Sequence, residues 1–138
     1  MERKIVHVVG TGTIGEPLIG ILCEQKSNLG IDEVTFHKQS PLTKDAPKIK
    51  NLMAKGARLS VHEDRVESFK EIGLEPEFTM EEAVSRSSVV IDCTPKGFGH
   101  KNKLDFYEKY ADKVKGFLAQ GSEDGFGKKY ARGINDHV

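Results

Sequence analysis

The chain opens on a short apolar run that ends in a glycine pattern. Ile5-Val6-His7-Val8-Val9 leads directly into Gly10-Thr11-Gly12-Thr13-Ile14-Gly15. A mostly β-branched run of this length reads as a buried strand. Gly10, Gly12 and Gly15 reproduce the G-x-G-x-x-G spacing that opens a dinucleotide-binding βαβ unit. Each glycine has its own reason. Gly10 permits the tight turn, Gly12 leaves room for a pyrophosphate to approach the backbone, and Gly15 lets the helix pack on the strand. The negative charge of such a ligand would meet unpaired N–H groups and the positive end of the helix dipole. Ile14, Leu18, Ile21 and Leu22 then recur at spacings of three and four, and Pro17 falls in the first turn, where its missing donor costs little.

Bulk properties narrow the class. At 138 residues the chain is expected to form one domain, residues 1–138, and 37% hydrophobic with 30% charged residues fits a well-solvated globule. Lys+Arg and Asp+Glu balance at 21 each. That balance, and the lack of a basic cluster interleaved with aromatics, gives no support to a nucleic-acid or membrane-surface partner. The N-terminus enters a strand at once and no apolar run approaches membrane-spanning length, so a cytoplasmic location is expected. Cys23 and Cys93 lack C-x-x-C spacing and histidine companions; both are expected to pack as small hydrophobes, and no metal site is expected.

Strands and helices alternate along the sequence. Glu33–Lys38 reads as the second strand, Lys44–Lys55 as a helix ending at Gly56, and Arg58–His62 as a half-buried strand. Glu63–Ile72 forms the next helix, stopping at Gly73; a short extended piece at Glu77-Phe78 precedes Thr79, which with Glu82 makes a capping box. Ser88–Cys93 is a second central strand, Lys103–Asp112 a helix with an aromatic stripe, and Gly116–Gly121 a further strand. Residues 122–138 lack periodicity, and the ending at Val138 reads as an interruption. The fold class is α/β, a Rossmann-type doubly wound, mostly parallel sheet with helices on both faces.

Ligands of such sheets lie beyond the carboxyl ends of the strands. Beyond the second strand, NAD-selective sites usually carry a carboxylate that accepts from the ribose 2′-hydroxyl. This sequence offers His37, Lys38, Gln39 and Ser40 instead, so the 2′-phosphate of NADP is tolerated or favoured over NAD. Asp92-Cys93-Thr94-Pro95-Lys96 supplies a third strand end. There Thr94 can donate a hydroxyl hydrogen bond toward a ribose or phosphate, Pro95 stiffens the turn, and Asp92 can equally hold the turn by bonds to the backbone. Gln120-Gly121 closes the crevice. His7 reads as a packed, hydrogen-bonded histidine.

The glycine loop, the Asp92–Lys96 strand end and Leu118-Ala119-Gln120-Gly121 together resemble the archaeal-type phosphorylating glyceraldehyde-3-phosphate dehydrogenase, over essentially the whole chain. The resemblance implies a cofactor domain followed by a catalytic domain, NADP or NAD as cofactor, and a homo-oligomer, commonly a tetramer. It places Gly12, Thr13 and Ile14 at the pyrophosphate, Lys38 near the 2′-phosphate, Thr94 and Pro95 by the ribose, and Gly121 at the nicotinamide end.

One departure counts more than the match. That family's nucleophilic cysteine lies in a Ser-Cys-Asn motif, which this sequence lacks, and neither Cys23 nor Cys93 stands in its place. The expectation is the cofactor-binding half of an oxidoreductase, without catalytic residues of its own, inactive in isolation and exposing an apolar surface toward a missing partner domain. A free-standing NAD(P)-sensing regulatory domain, or the cofactor domain of another semialdehyde dehydrogenase or reductase, shares the glycine loop; the Thr94-Pro95-Lys96 turn favours the first reading.

Overall fold

The computed structural model describes residues 2–120 and 122–138. Among these, six strands form one sheet: β1 Ile5–Val9, β2 Glu33–His37, β3 Arg58–Val61, β4 Phe78–Thr79, β5 Val89–Asp92 and β6 Gly116–Ala119. Their spatial order is β4-β3-β2-β1-β5-β6, and every pairing is parallel. The chain winds outward from β1 in one direction, then crosses back to lay β5 on the other side of β1. The carboxyl ends of β1 and β5 therefore flank the topological switch point, where open parallel sheets form their crevice.

Among the described residues five α-helices cover the two faces: α1 Gly15–Glu24, α2 Ala46–Ala54, α3 Val66–Glu71, α4 Met80–Arg86 and α5 Phe98–Asp105. Successive strand residues point to opposite faces, so each strand feeds two cores. On one face Val8, Val34, Phe36, Leu59 and Val61 pack with Ile19 and Leu22 of α1, Ile49 and Leu52 of α2, and Phe69 of α3. On the other, Val9 and Val90 pack with Val84 of α4, Tyr107, Val114 and Phe126. This second face also carries buried polar groups. His7 is hydrogen-bonded through Nδ1 to the Thr35 hydroxyl at 2.6 Å, as a packed histidine should be, although its Nε2 finds no partner among the described residues.

Most elements fall where the hydrophobic periods put them. Thr79 and Glu82 close the reciprocal capping box at the start of α4, with Thr79 N–H donating to the Glu82 carboxylate at 2.8 Å. The helices expected at residues 44–55 and 63–72 each begin instead with a 3-10 turn, Thr43–Asp45 and Glu63–Arg65.

The expectation for Lys103–Asp112 needs correction. The helix starts five residues earlier, at Phe98, and gives way after Asp105 to a 3-10 turn over Tyr107–Tyr110. Its start is set by a distant group. The Glu123 carboxylate, 5% exposed, accepts the N–H groups of Gly97, Gly99 and His100 at 2.9–3.3 Å. Gly97 takes a φ of +92° to turn the chain into the helix, a conformation that glycine adopts freely. Its end follows from Tyr107, which is drawn into the core and donates its hydroxyl to Asp92 at 2.5 Å.

Candidate functional site

The carboxyl ends of β1, β2, β5 and β6 open onto one cleft of 610 Å³, within the roughly 300–1,000 Å³ usual for small-molecule sites. The glycine loop forms its floor through Gly10, Thr11, Gly12, Thr13 and Ile14. Lys38 and Gln39 after β2 and Lys48 from α2 form one side; Cys93, Thr94, Pro95 and Phe98 after β5, with Gln120 after β6, form the other. Of the residues singled out from sequence, Gly10, Gly12, Thr13, Ile14, Lys38, Thr94 and Pro95 thus line a single space. Gly15 does not line it; its place is under the loop, against the Gly10 carbonyl. Ser40 is absent from the lining, and Gly121 lies outside the described residues.

The loop is built from backbone constraints. Gly10 has a φ of +104°, and a side chain there would press on the Cys93 carbonyl at 3.1 Å. Its N–H donates to the His37 carbonyl at 3.2 Å, which ties the loop to the end of β2. A Cβ at Gly12 would meet nothing within 4 Å, so the only thing a larger residue would fill there is the cleft. The N-cap Ile14 supplies no side-chain cap to α1, and the N–H groups of Thr13 and Ile14 have no acceptor among the described residues. Helix N-terminal amides left in this way are donors for an anion. A diphosphate fits what these residues present.

The opposite wall is held by Asp92. Its carboxylate, 1% exposed, accepts the Thr94 N–H at 2.9 Å, the Thr94 hydroxyl, the Asn102 amide at 3.0 Å and the Tyr107 hydroxyl. Asp92 therefore holds the turn, partly through the Thr94 backbone as expected and partly through side chains. The Thr94 hydroxyl proton is directed to Asp92, so Thr94 presents an acceptor oxygen to the cleft rather than a donor. Gln120 donates its side-chain amide to the Thr94 carbonyl at 3.2 Å, which locks the ends of β5 and β6 together. Burial, then the Asp92 charge, push the Cys93 thiol up to about 11, so it stays protonated at neutral pH. Burial likewise raises the Cys23 thiol.

Sequence reasoning missed Lys48 and Asp45. Lys48 donates to the Thr11 carbonyl at 2.8 Å, from α2, eleven residues beyond the end of β2. Asp45, in the 3-10 turn before α2, lies 2.9 Å from the Lys38 ammonium and 3.9 Å from that of Lys48. The Lys38 hydrogen bond holds the Asp45 carboxyl below the usual carboxylate range. The Lys-rich stretch at residues 44–55 was visible in the sequence, but only the fold brings its first turn to the end of β2. Among the described residues no group of three or more His, Cys, Asp or Glu could hold a metal ion, and no helix is long and apolar enough to cross a membrane.

A parallel sheet wound outward from β1 and then back, with an uncapped helix behind a glycine loop at the switch point, defines a Rossmann-type α/β domain. Comparison with known proteins narrows this class. Over 121 residues the chain is 34% identical to the glyceraldehyde-3-phosphate dehydrogenase of Pyrobaculum arsenaticum, matching 86% of this chain and 32% of the relative. The Methanobacterium formicicum enzyme of the same name is 32% identical over 151 residues, 96% of this chain and 41% of the relative. That of Methanopyrus kandleri is 43% identical over 74 residues, half of this chain and a fifth of the relative. The chain's curated homologues are thus archaeal glyceraldehyde-3-phosphate dehydrogenases, and the chain spans about a third of their length. No family model matches it.

Proposed function

We propose that this chain is the NAD(P)-binding part of an oxidoreductase resembling phosphorylating glyceraldehyde-3-phosphate dehydrogenase. The observation that carries the reading is the open space at Gly12 beside the unused amides of Thr13 and Ile14. Gly10, Gly12, Thr13 and Ile14 hold the pyrophosphate, and Gly15 fixes the helix that supplies the amides. Thr94 and Pro95 flank the ribose, and Gly121 belongs to the nicotinamide end. Lys38 and Lys48 are the cations available to an adenosine 2′-phosphate, so NADP is accepted and favoured over NAD.

Bound nicotinamide supplies a hydride acceptor; the chain's own residues orient it and keep the diphosphate charge at the α1 terminus. Chemistry on the aldehyde needs a thiolate and a base in one place. The thiol in the cleft, Cys93, is held protonated. The nucleophile is therefore assigned to a catalytic domain outside these 138 residues, and the isolated chain has no dehydrogenase activity. Ile14 and Phe98, 48% and 58% exposed at the cleft mouth, give that domain an apolar surface. The complete protein is a homo-oligomer, as the resemblance implies, and works in the cytoplasm.

Calorimetric titration of the purified chain with NADP and NAD tests the reading. Saturable one-to-one binding in the micromolar range is expected. A folded chain that binds neither dinucleotide overturns it.

A further inference from the structure

We propose that Asp45 sets the balance between the 2′-phosphate and 2′-hydroxyl forms of the dinucleotide. The inference rests on the cleft holding an adenosine ribose beside Lys38, as proposed above.

Residues 38–40, directly after β2, contain no carboxylate. Read along the sequence, this argues for an unopposed Lys38 and hence for NADP. The fold changes the local charge. Asp45 is carried back onto Lys38 by the 3-10 turn over Thr43–Asp45, with Nζ–Oδ2 at 2.9 Å and the two side chains only 14% and 18% exposed. Lys48, which also lines the cleft, lies 3.9 Å from the other carboxylate oxygen while its Nζ donates to the Thr11 carbonyl. Two cations at the cleft thus share one internal anion.

That arrangement treats the two cofactors differently. A 2′-phosphate carries about two negative charges. It must share Lys38 with a carboxylate that repels it, across a site too shielded for full solvent screening. A 2′-hydroxyl is neutral and meets no such repulsion; Asp45 stands behind the cleft lining and acts through Lys38 and Lys48, the two lining cations it pairs with. Asp45 therefore acts by offsetting the positive charge of Lys38 and Lys48 that a 2′-phosphate would use. It lowers a preference for NADP that Lys38 and Lys48 would otherwise make strong.

The test uses the 138-residue chain with Asp45→Asn and, separately, Asp45→Ser, each titrated calorimetrically with NADP and with NAD. Thermal melts without ligand establish that both variants fold. NADP affinity is expected to rise about fivefold, the scale of removing one nearby charge from a dianion. NAD affinity is expected to stay or fall, so the NADP:NAD ratio moves toward NADP in both folded variants. A ratio that stays constant or moves toward NAD, with the parent chain binding normally, overturns the role of Asp45 and leaves the cleft reading intact. A parent chain that binds neither dinucleotide overturns both.

Discussion

Gly15 lies so close under Gly10 that a Cβ on it would collide with the Gly10 carbonyl, reaching its carbon at 2.7 Å. Three glycines in one motif therefore do separable work. Gly15→Ala should force the loop or α1 to move and destabilise the chain by about 2–4 kcal/mol. Gly12→Ala, whose Cβ has free space, should leave urea unfolding nearly unchanged while lowering dinucleotide affinity tenfold or more, on the order of 1.4 kcal/mol. Equal stability losses in the two variants would contradict this division.

Lys38→Met should separate the two cofactors. Loss of a charge-assisted hydrogen bond is worth about 1.5–3 kcal/mol, so NADP affinity should fall by roughly ten- to hundredfold. NAD affinity should change little. Parallel losses for NADP and NAD in a calorimetric titration would show that Lys38 does not read the 2′ position.

Glu123 caps α5 from a distance of 26 residues in sequence to Gly97. Glu123→Ala leaves the amides of Gly97, Gly99 and His100 without their carboxylate, and should cost about 1–3 kcal/mol. Hydrogen exchange should localise the change, with protection lost at residues 97–100 while the amides of β1 and β2 stay protected. Unchanged protection at α5 would contradict the cap.

Stability should fall as pH drops below neutral. Burial first, then the charge of His37, holds the His7 ring down to about 3. Burial, then His62 and Lys38, holds His37 down to about 4. Both rings are neutral in the folded chain but bind a proton near 6.5 when unfolded. Protonation therefore favours the unfolded state. Stability that is complete above about pH 6.5 is lost as pH falls toward 4, with a slope approaching about 1.4 kcal/mol per pH unit per ring. The depressed carboxyls of Glu33 and Asp45 act lower, below their unfolded values near 4. Urea unfolding at about pH 7, 6 and 5 reads the histidine window alone; a flat profile would mean the rings are not held neutral.

What the sequence made legible is local. The β-branched run over Ile5–Val9 and the Thr79–Glu82 capping box each carry their own signal within a few residues, and each is found in place. The strand expected at Arg58–His62 forms over Arg58–Val61, but Leu59, Ser60 and Val61 are all buried, so it is covered on both faces rather than half-buried as its alternation suggested. The cleft was legible as three strand ends because the topology of alternating strands and helices sends them to one edge. What was not legible depends on partners far along the chain. Nothing near Phe98 announces a helix start, because the cap is Glu123. Nothing at Lys38 announces a counter-ion, because Asp45 reaches it only through the turn before α2. The Thr94 hydroxyl reads as a free donor until Asp92 is seen to accept its proton.

The central claim is that the amides at the start of α1 hold a dinucleotide diphosphate, and amide chemical-shift mapping of the isotope-labelled chain tests it directly. Titration with NADP is expected to move the resonances of Gly12, Thr13 and Ile14 first and furthest, with Thr94 and Gln120 following on the opposite wall. Shifts confined to other parts of the sheet, or no shifts in a folded chain at saturating NADP, would contradict it.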